Sequence, residues 1–183
     1  VLASVWRVWA ARCRGQSDVL LGTPVTLRTT TETAAMLGCL VNNVALRNTV
    51  DYRAPFIELV RAEHTALLET RDHALVPFEQ VVAAVDAPRV LGRHPLFQVF
   101  LQYEQVAKPA AAADGATFAA DVVPVDRASY WDMELAVRDH GAGEALQAFF
   151  GFRTDLYPAQ ELETWPAGLT AILQTVVANP QQP

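Results

Sequence analysis

The sequence predicts an α/β fold, an open mixed β-sheet of about five strands with helices packed on it. Three observations carry that expectation. Hydrophobic residues make up 51% and charged residues 19% of 183 positions, which suits one buried core and excludes a disordered chain. Apolar residues recur at helical spacing in some segments and alternate in others. Strand and helix segments do not alternate strictly, so a simple doubly wound order is excluded and a mixed sheet remains.

Residues 1–13 read as a helix, with Leu2, Val5, Trp6 and Trp9 at helical spacing and Gly15 as the stop signal. Val19–Leu21 reads as a short buried strand, ended by Gly22-Thr-Pro24. Thr29-Thr30-Thr31 supplies cap chemistry for a short helical turn around 32–36, and residues 43–50 alternate as a strand. The clearest helix covers 54–72. Phe56, Ile57, Val60, Leu67 and Leu68 make its apolar stripe, and Glu58, Arg61, Glu63, Glu69 and Arg71 are assigned to its solvated side.

Pro77 is placed at the first position of a helix that continues through Phe78, Val81, Val82 and Val85 towards Pro88. Residues 96–104 alternate strongly as a strand, and the Ala-rich stretch 106–116 reads as a loop. Two more strands are expected at 131–138 and 145–153, joined by the hairpin signal His140-Gly-Ala-Gly143. Helical spacing returns over 159–178, where Pro166 is expected to kink or split the helix.

Composition narrows the function. Fourteen Lys and Arg against twenty Asp and Glu leave a net charge of −6, which argues against binding a nucleic-acid backbone or an anionic membrane surface. Two cysteines, Cys13 and Cys39, cannot build a disulfide framework and are expected as buried or half-buried free thiols. No apolar run is long enough to span a bilayer, and no signal peptide is recognisable, so a cytoplasmic location is the default expectation. The chain opens on Val1 in an apolar stretch and reads as cut from something longer.

Catalytic patterns are missing. There is no phosphate-cradling Gly-rich loop, no G-x-S-x-G elbow and no His and Cys pair at metal-ligand spacing. The four histidines, His64, His73, His94 and His140, are isolated from one another, and Asp132 and Glu134 are weak evidence for a paired carboxylate site. No catalytic residue, bound cofactor or metal is assigned to this chain.

Four segments in order carry more information than any one of them. They are Gly22-Thr-Pro-Val-Thr-Leu-Arg28 with Leu37–Arg47, then His73-Ala-Leu-Val-Pro-Phe-Glu79, then Arg89–Val99, then Trp131-Asp-Met-Glu-Leu135 with Phe152–Tyr157. In this order and spacing they resemble the later core motifs of condensation domains from nonribosomal peptide synthetases. The resemblance implies one lobe of a two-lobed fold related to chloramphenicol acetyltransferase. In that family, donor and acceptor arrive as thioesters on the phosphopantetheine arms of carrier proteins, from opposite ends of a tunnel between the lobes, and the acceptor amine attacks the donor thioester.

The family's His-His-x-x-x-Asp-Gly run belongs to the N-terminal lobe and is absent here. Residues 1–183 therefore resemble the C-terminal, acceptor-side lobe alone, expected to be inactive without its partner lobe. Departures from the family pattern fall at Leu40, Asn43, Ala74-Leu75, Gly92, His94 and Tyr130. They put in doubt any polar contact those side chains make.

Six residues are candidates for the lobe interface or the substrate tunnel: Arg28, Asn42, Asn43, Arg47, His94 and Trp131. Arg28 and Arg47 read as isolated cations in apolar surroundings, needing carboxylate or carbonyl partners that tie loops together or reach the other lobe. Asn42 and Asn43 either satisfy backbone groups or touch substrate. His94 either bonds an incoming substrate or the backbone, and Trp131 lines the acceptor side or packs in the core.

Two functions follow as expectations. One is half of an amide-forming acyltransferase of peptide antibiotic and secondary-metabolite assembly, partnered by the N-terminal lobe, donor and acceptor carrier proteins and an adenylation domain. The other is a non-catalytic condensation-like platform that docks partner proteins.

Overall fold

The helix α1 (Leu2–Arg14) ends on Gly15, whose φ of 63° lets its amide turn back onto the carbonyls of Ala11 and Arg12. This is the first element of a computed structural model that describes residues 1–106, 129–141 and 143–183. Strand β1 (Asp18–Thr26) follows, then the one-turn helix α2 (Thr31–Ala35), strand β2 (Val41–Thr49) and the long helix α3 (Phe56–Asp72). Helix α4 (Phe78–Ala84) leads to β3 (Val99–Gln105), β4 (Met133–Asp139), β5 (Gln147–Phe152), α5 (Ala159–Leu162) and α6 (Trp165–Ala178).

The five described strands form one sheet in the order β2-β1-β3-β4-β5. The inner pairs β1–β3 and β3–β4 are parallel, while the outer pairs β1–β2 and β4–β5 are antiparallel hairpins. This is the expected open mixed sheet. The hairpin at His140–Gly143 forms as its Gly content requires, although Ala142 lies outside the described residues. So does the loop expected over 106–116, beyond Val106.

One face of the sheet meets the helices. Val19, Leu21, Leu46, Val99, Leu101, Met133, Leu135 and Val137 pack against Val5, Trp6, Phe56, Trp165 and Leu169 of α1, α3 and α6. Each such side chain contributes about 1.5–3 kcal/mol when fully buried. Trp6 also donates its indole N–H to the Phe100 carbonyl at 2.9 Å, which locks α1 onto β3.

Several expectations are corrected. Gly22-Thr-Pro24 does not end β1, which runs on to Thr26 because Pro24 pairs with Asn43 and Gly22 with Ala45 in an unbroken ladder. Pro77 is the N-cap of α4 rather than its first residue, and α4 stops at Ala84, short of Pro88. Trp131 precedes β4, which begins at Met133. Cys13 and Cys39 are both free and exposed, because one lies at the end of α1 and the other in the β1–β2 connection. Leu68 belongs to the expected apolar stripe of α3 yet is 47% exposed.

The largest correction concerns Glu63, placed on the solvated side of α3 from sequence. It is 4% exposed and faces Arg7, which is 0% exposed. The Arg7 fork pairs with both Glu63 carboxylate oxygens and donates to the carbonyls of Val19, Leu46 and Asn48. A buried guanidinium requires this saturation. The arrangement fastens α1 and α3 to the β1–β2 hairpin. Pro166 splits the last helical stretch as anticipated, sitting in the first turn of α6 after the break that ends α5.

Candidate functional site

The second face of the sheet is not covered by α1, α3 or α6. At its centre Gly22 of β1 lies beside Phe100 of β3. A side chain at 22 would occupy the volume taken by the Phe97 ring, so this glycine admits an aromatic group to the sheet surface. From there a cluster extends. Phe100 stacks on Trp131 at 4.3 Å with the rings 4° from parallel, and Phe97 lies 5.2 Å from Trp131.

His94 completes the cluster. Its ring centroid is 4.3 Å from Phe97, 4.5 Å from Trp131 and 5.2 Å from Phe78, the first residue of α4. Its Nδ1 is buried and has no hydrogen-bond partner among the described residues. Burial pushes its pKa below the usual histidine range, opposed by the Phe97 backbone, so the imidazole is neutral at pH 7. The His94 carbonyl accepts from Gln98 Nε2 at 2.9 Å, and Gln98 in turn receives Arg93 Nη2 at 3.2 Å. A groove of about 420 Å³ opens between α4 and residues 89–95. Phe78, Val82, Val90 and Pro95 make its walls apolar, Arg89, Arg93 and Glu79 supply charge, and His94 lines it.

The six sequence candidates do not all meet. His94 and Trp131 are brought into contact. Asn42 lies at the mouth of β2 and serves backbone groups. Its Nδ2 donates to the carbonyls of Ala74 at 2.9 Å and Val76 at 2.7 Å, and its Oδ1 accepts from the Phe78 amide. Asn42 thereby positions the start of α4 and, with it, Phe78. Asn43 is half-buried and sits opposite Pro24.

Arg28 is half-buried and donates to the carbonyls of Thr33, Met36 and Gly38, so it ties the β1–β2 connection to itself. Arg47 is not in apolar surroundings. It is exposed and pairs with Asp18 across the hairpin, and that bond holds the Asp18 carboxyl below its usual range. It lines a separate cavity of about 280 Å³ with Arg14, Gln16 and Gln98.

Asp132 is paired with cations. It is buried between Arg14 at 3.5 Å and Arg153 at 3.9 Å, which explains how a carboxylate survives beside Trp131. Arg153 also donates to the Gly92 carbonyl and so reaches the loop that carries His94.

The sequence reading missed the gathering of Phe78, Phe97 and Phe100 around His94. It also missed Arg7, for which a signal existed: one cation inside an apolar helical segment, Val5-Trp-Arg-Val-Trp9, demands a buried partner. Among the described residues, no group of three or more His, Cys, Asp or Glu can hold a metal ion. No described helix is long and apolar enough to cross a membrane.

A family model described as the condensation domain matches residues 1–183. The chain belongs to the condensation-domain family. This condensation-domain chain is 29% identical over 188 residues to surfactin synthase subunit 2 of Bacillus subtilis (strain 168), an alignment covering 100% of the chain and 5% of that subunit.

Two solved structures share the fold. The condensation domain of the monacolin K polyketide synthase MokA superposes with a TM-score of 0.82 at 20% identity, covering 99% of this chain and 41% of that one. The X-domain in a complex with OxyB from teicoplanin biosynthesis superposes with a TM-score of 0.79 at 21% identity, covering 99% and 40%. The condensation-domain chain thus spans about two fifths of either solved chain.

Proposed function

We propose that residues 1–183 are the C-terminal, acceptor-side lobe of a condensation domain that forms peptide bonds between carrier-protein-bound thioesters. The family match over the whole chain carries this reading. Support comes from the share covered, since the chain matches 41% of a condensation domain whose fold it has. The sequence lacks the His-His-x-x-x-Asp-Gly run, so the proton-handling group belongs to the other lobe.

In this reading the aromatic face around His94 and Trp131 is a tunnel wall. It excludes water and holds the acceptor amine close to the donor thioester, a contribution of position rather than of proton transfer. A neutral imidazole there accepts or donates one hydrogen bond without adding a charge that would repel an ammonium. Asn42 acts behind it by holding the start of α4, Arg28 holds the β1–β2 connection, and Asn43 and Arg47 are the candidates left for contact with the other lobe. The partners are the N-terminal lobe, donor and acceptor carrier proteins with their phosphopantetheine arms, and an adenylation domain. The setting is a cytoplasmic peptide assembly line.

The test is complementation. This chain is mixed with an N-terminal condensation lobe carrying the His-His-x-x-x-Asp-Gly run and with both loaded carrier proteins, and dipeptidyl thioester is followed by mass spectrometry. Product from the mixture and from neither lobe alone supports the acyltransferase reading. No product from lobes shown to associate overturns it.

That second outcome favours a docking platform. The observation behind it is the likeness to the X-domain, which was solved in a complex with OxyB. In that reading the departures at Gly92, His94 and Tyr130 change a surface for partner proteins, and Tyr130 is 85% exposed.

A further inference from the structure

The N-cap of α3 is Pro55, whose side chain makes no capping bond. The first-turn amides of α3 are nevertheless occupied. Glu58 N–H donates to the Pro55 carbonyl at 3.0 Å. Phe56 N–H donates to the Gln182 carbonyl at 2.8 Å, and Ile57 N–H to the Pro180 carbonyl at 2.9 Å. Phe56 is 9% exposed, so an amide left unpaired there would carry a desolvation cost.

The tail is shaped to supply those acceptors. Helix α6 ends at Ala178, and Asn179 leaves the helix with φ −147° and ψ 84°. The Asn179 side-chain oxygen accepts from the Gln181 amide at 3.3 Å, and its carbonyl accepts from the Gln182 amide at 3.2 Å. This tight turn aims two alternate carbonyls at α3. Their partial negative charge meets the positive end of the helix dipole.

We infer that residues 179–182 form a backbone strap that caps α3 and couples the path of the chain beyond α6 to the helical layer. The cap residue that α3 lacks locally is replaced by backbone from the far end of the chain. The coupling reaches further, because α3 carries Glu63, the partner of Arg7 on α1. A change in direction of residues 179–183 that lifts the two carbonyls uncaps α3, and α3 is tied to the sheet through that ion pair. The strap is independent of the acyl-transfer reading.

Amide hydrogen exchange by NMR tests it on three chains: residues 1–183, residues 1–178, and the Gln182→Pro variant of residues 1–183, which removes the turn bond from residue 182. Leu101 and Leu135, on central strands, serve as internal references. The expected result is exchange at Phe56 and Ile57 at least about tenfold faster in both altered chains, as the loss of these bonds implies, with Leu101 and Leu135 unchanged. Unchanged exchange at Phe56 and Ile57 overturns the inference. An equal rise at all four amides overturns it too, since it makes the tail a contributor to global stability without a local cap. If the shortened chain does not fold, the Gln182→Pro chain gives the same reading.

Discussion

Gly22 lies against the face of Phe97. A Cβ at residue 22 would fall inside the van der Waals surface of three Phe97 ring atoms, and Phe97 is fully buried. The glycine is therefore required by packing on the second face of the sheet, where the His94 and Trp131 cluster is built. Gly22→Ala must displace the ring. The expected cost is about 1–3 kcal/mol of unfolding free energy by urea titration, the range for overpacking a closed core. Equal stability in the variant would show that the ring has free volume.

The Arg7–Glu63 pair makes a larger prediction. Glu63→Gln removes the charge that compensates a fully buried guanidinium, and a loss of about 3–5 kcal/mol is expected. That is a large part of a typical domain stability of about 5–15 kcal/mol, and it should lower the Tm by roughly 6–20 °C. The double variant Arg7→Met with Glu63→Leu removes both charges and should be more stable than Glu63→Gln alone. Calorimetry on the three chains checks the order.

Asn42 separates a structural amide from its neighbour. Asn42→Ala deletes donors to the Ala74 and Val76 carbonyls and the acceptor for the Phe78 amide, and should cost about 1–3 kcal/mol. Its NMR shifts should change at Phe78 and His94. Asn43→Ala should change stability less. The reverse order would mean that Asn43 carries the contact.

His94 predicts a pH dependence. Burial lowers its native pKa below the ordinary histidine value of about 6.5, so at mildly acidic pH the unfolded chain binds a proton that the native chain does not. The stability from its neutral form is complete above about pH 6.5 and is lost as pH falls through the lower native pKa. Urea midpoints between pH 7.5 and 5.5 should fall more steeply for the native sequence than for His94→Gln. Parallel slopes would show that the acid sensitivity does not come from His94.

Both thiols should react with a thiol reagent in the folded chain, since Cys13 and Cys39 are exposed. Burial of part of its environment, and then the charge of Glu161, raise the Cys13 pKa. Cys13 should thus react more slowly in the folded than in the unfolded chain at pH 8. Single-cysteine variants resolve the two rates.

The elements themselves were legible because their signals are local. The capping chemistry at Thr30 and the Gly-rich turn after Asp139 each act over a few residues and formed where expected, whereas the strand expected over 96–104 begins only at Val99, and Phe97, expected on the face of Val99 and Leu101, joins His94 and Trp131 instead. Boundaries failed where a distant partner decided them. Pro24 breaks a strand by local rules but is tolerated in β1 opposite Asn43. Of the candidate site, His94 and Trp131 were recognisable from motif order, whereas Phe78, Phe97 and Gly22 look like ordinary core and turn residues in sequence.

Periodicity, composition and motif order by themselves determined the five strands seen among the described residues, the mixed sheet, the acidic character and the family of this chain. Only the tertiary structure decided that Glu63 is buried against Arg7, that Arg47 is a surface ion pair, and that carbonyls 180 and 182 cap α3. The physical reason is range. A helix or strand is selected by neighbours within one or two turns, but the burial of a charge or an amide depends on which remote segment arrives with the complementary group.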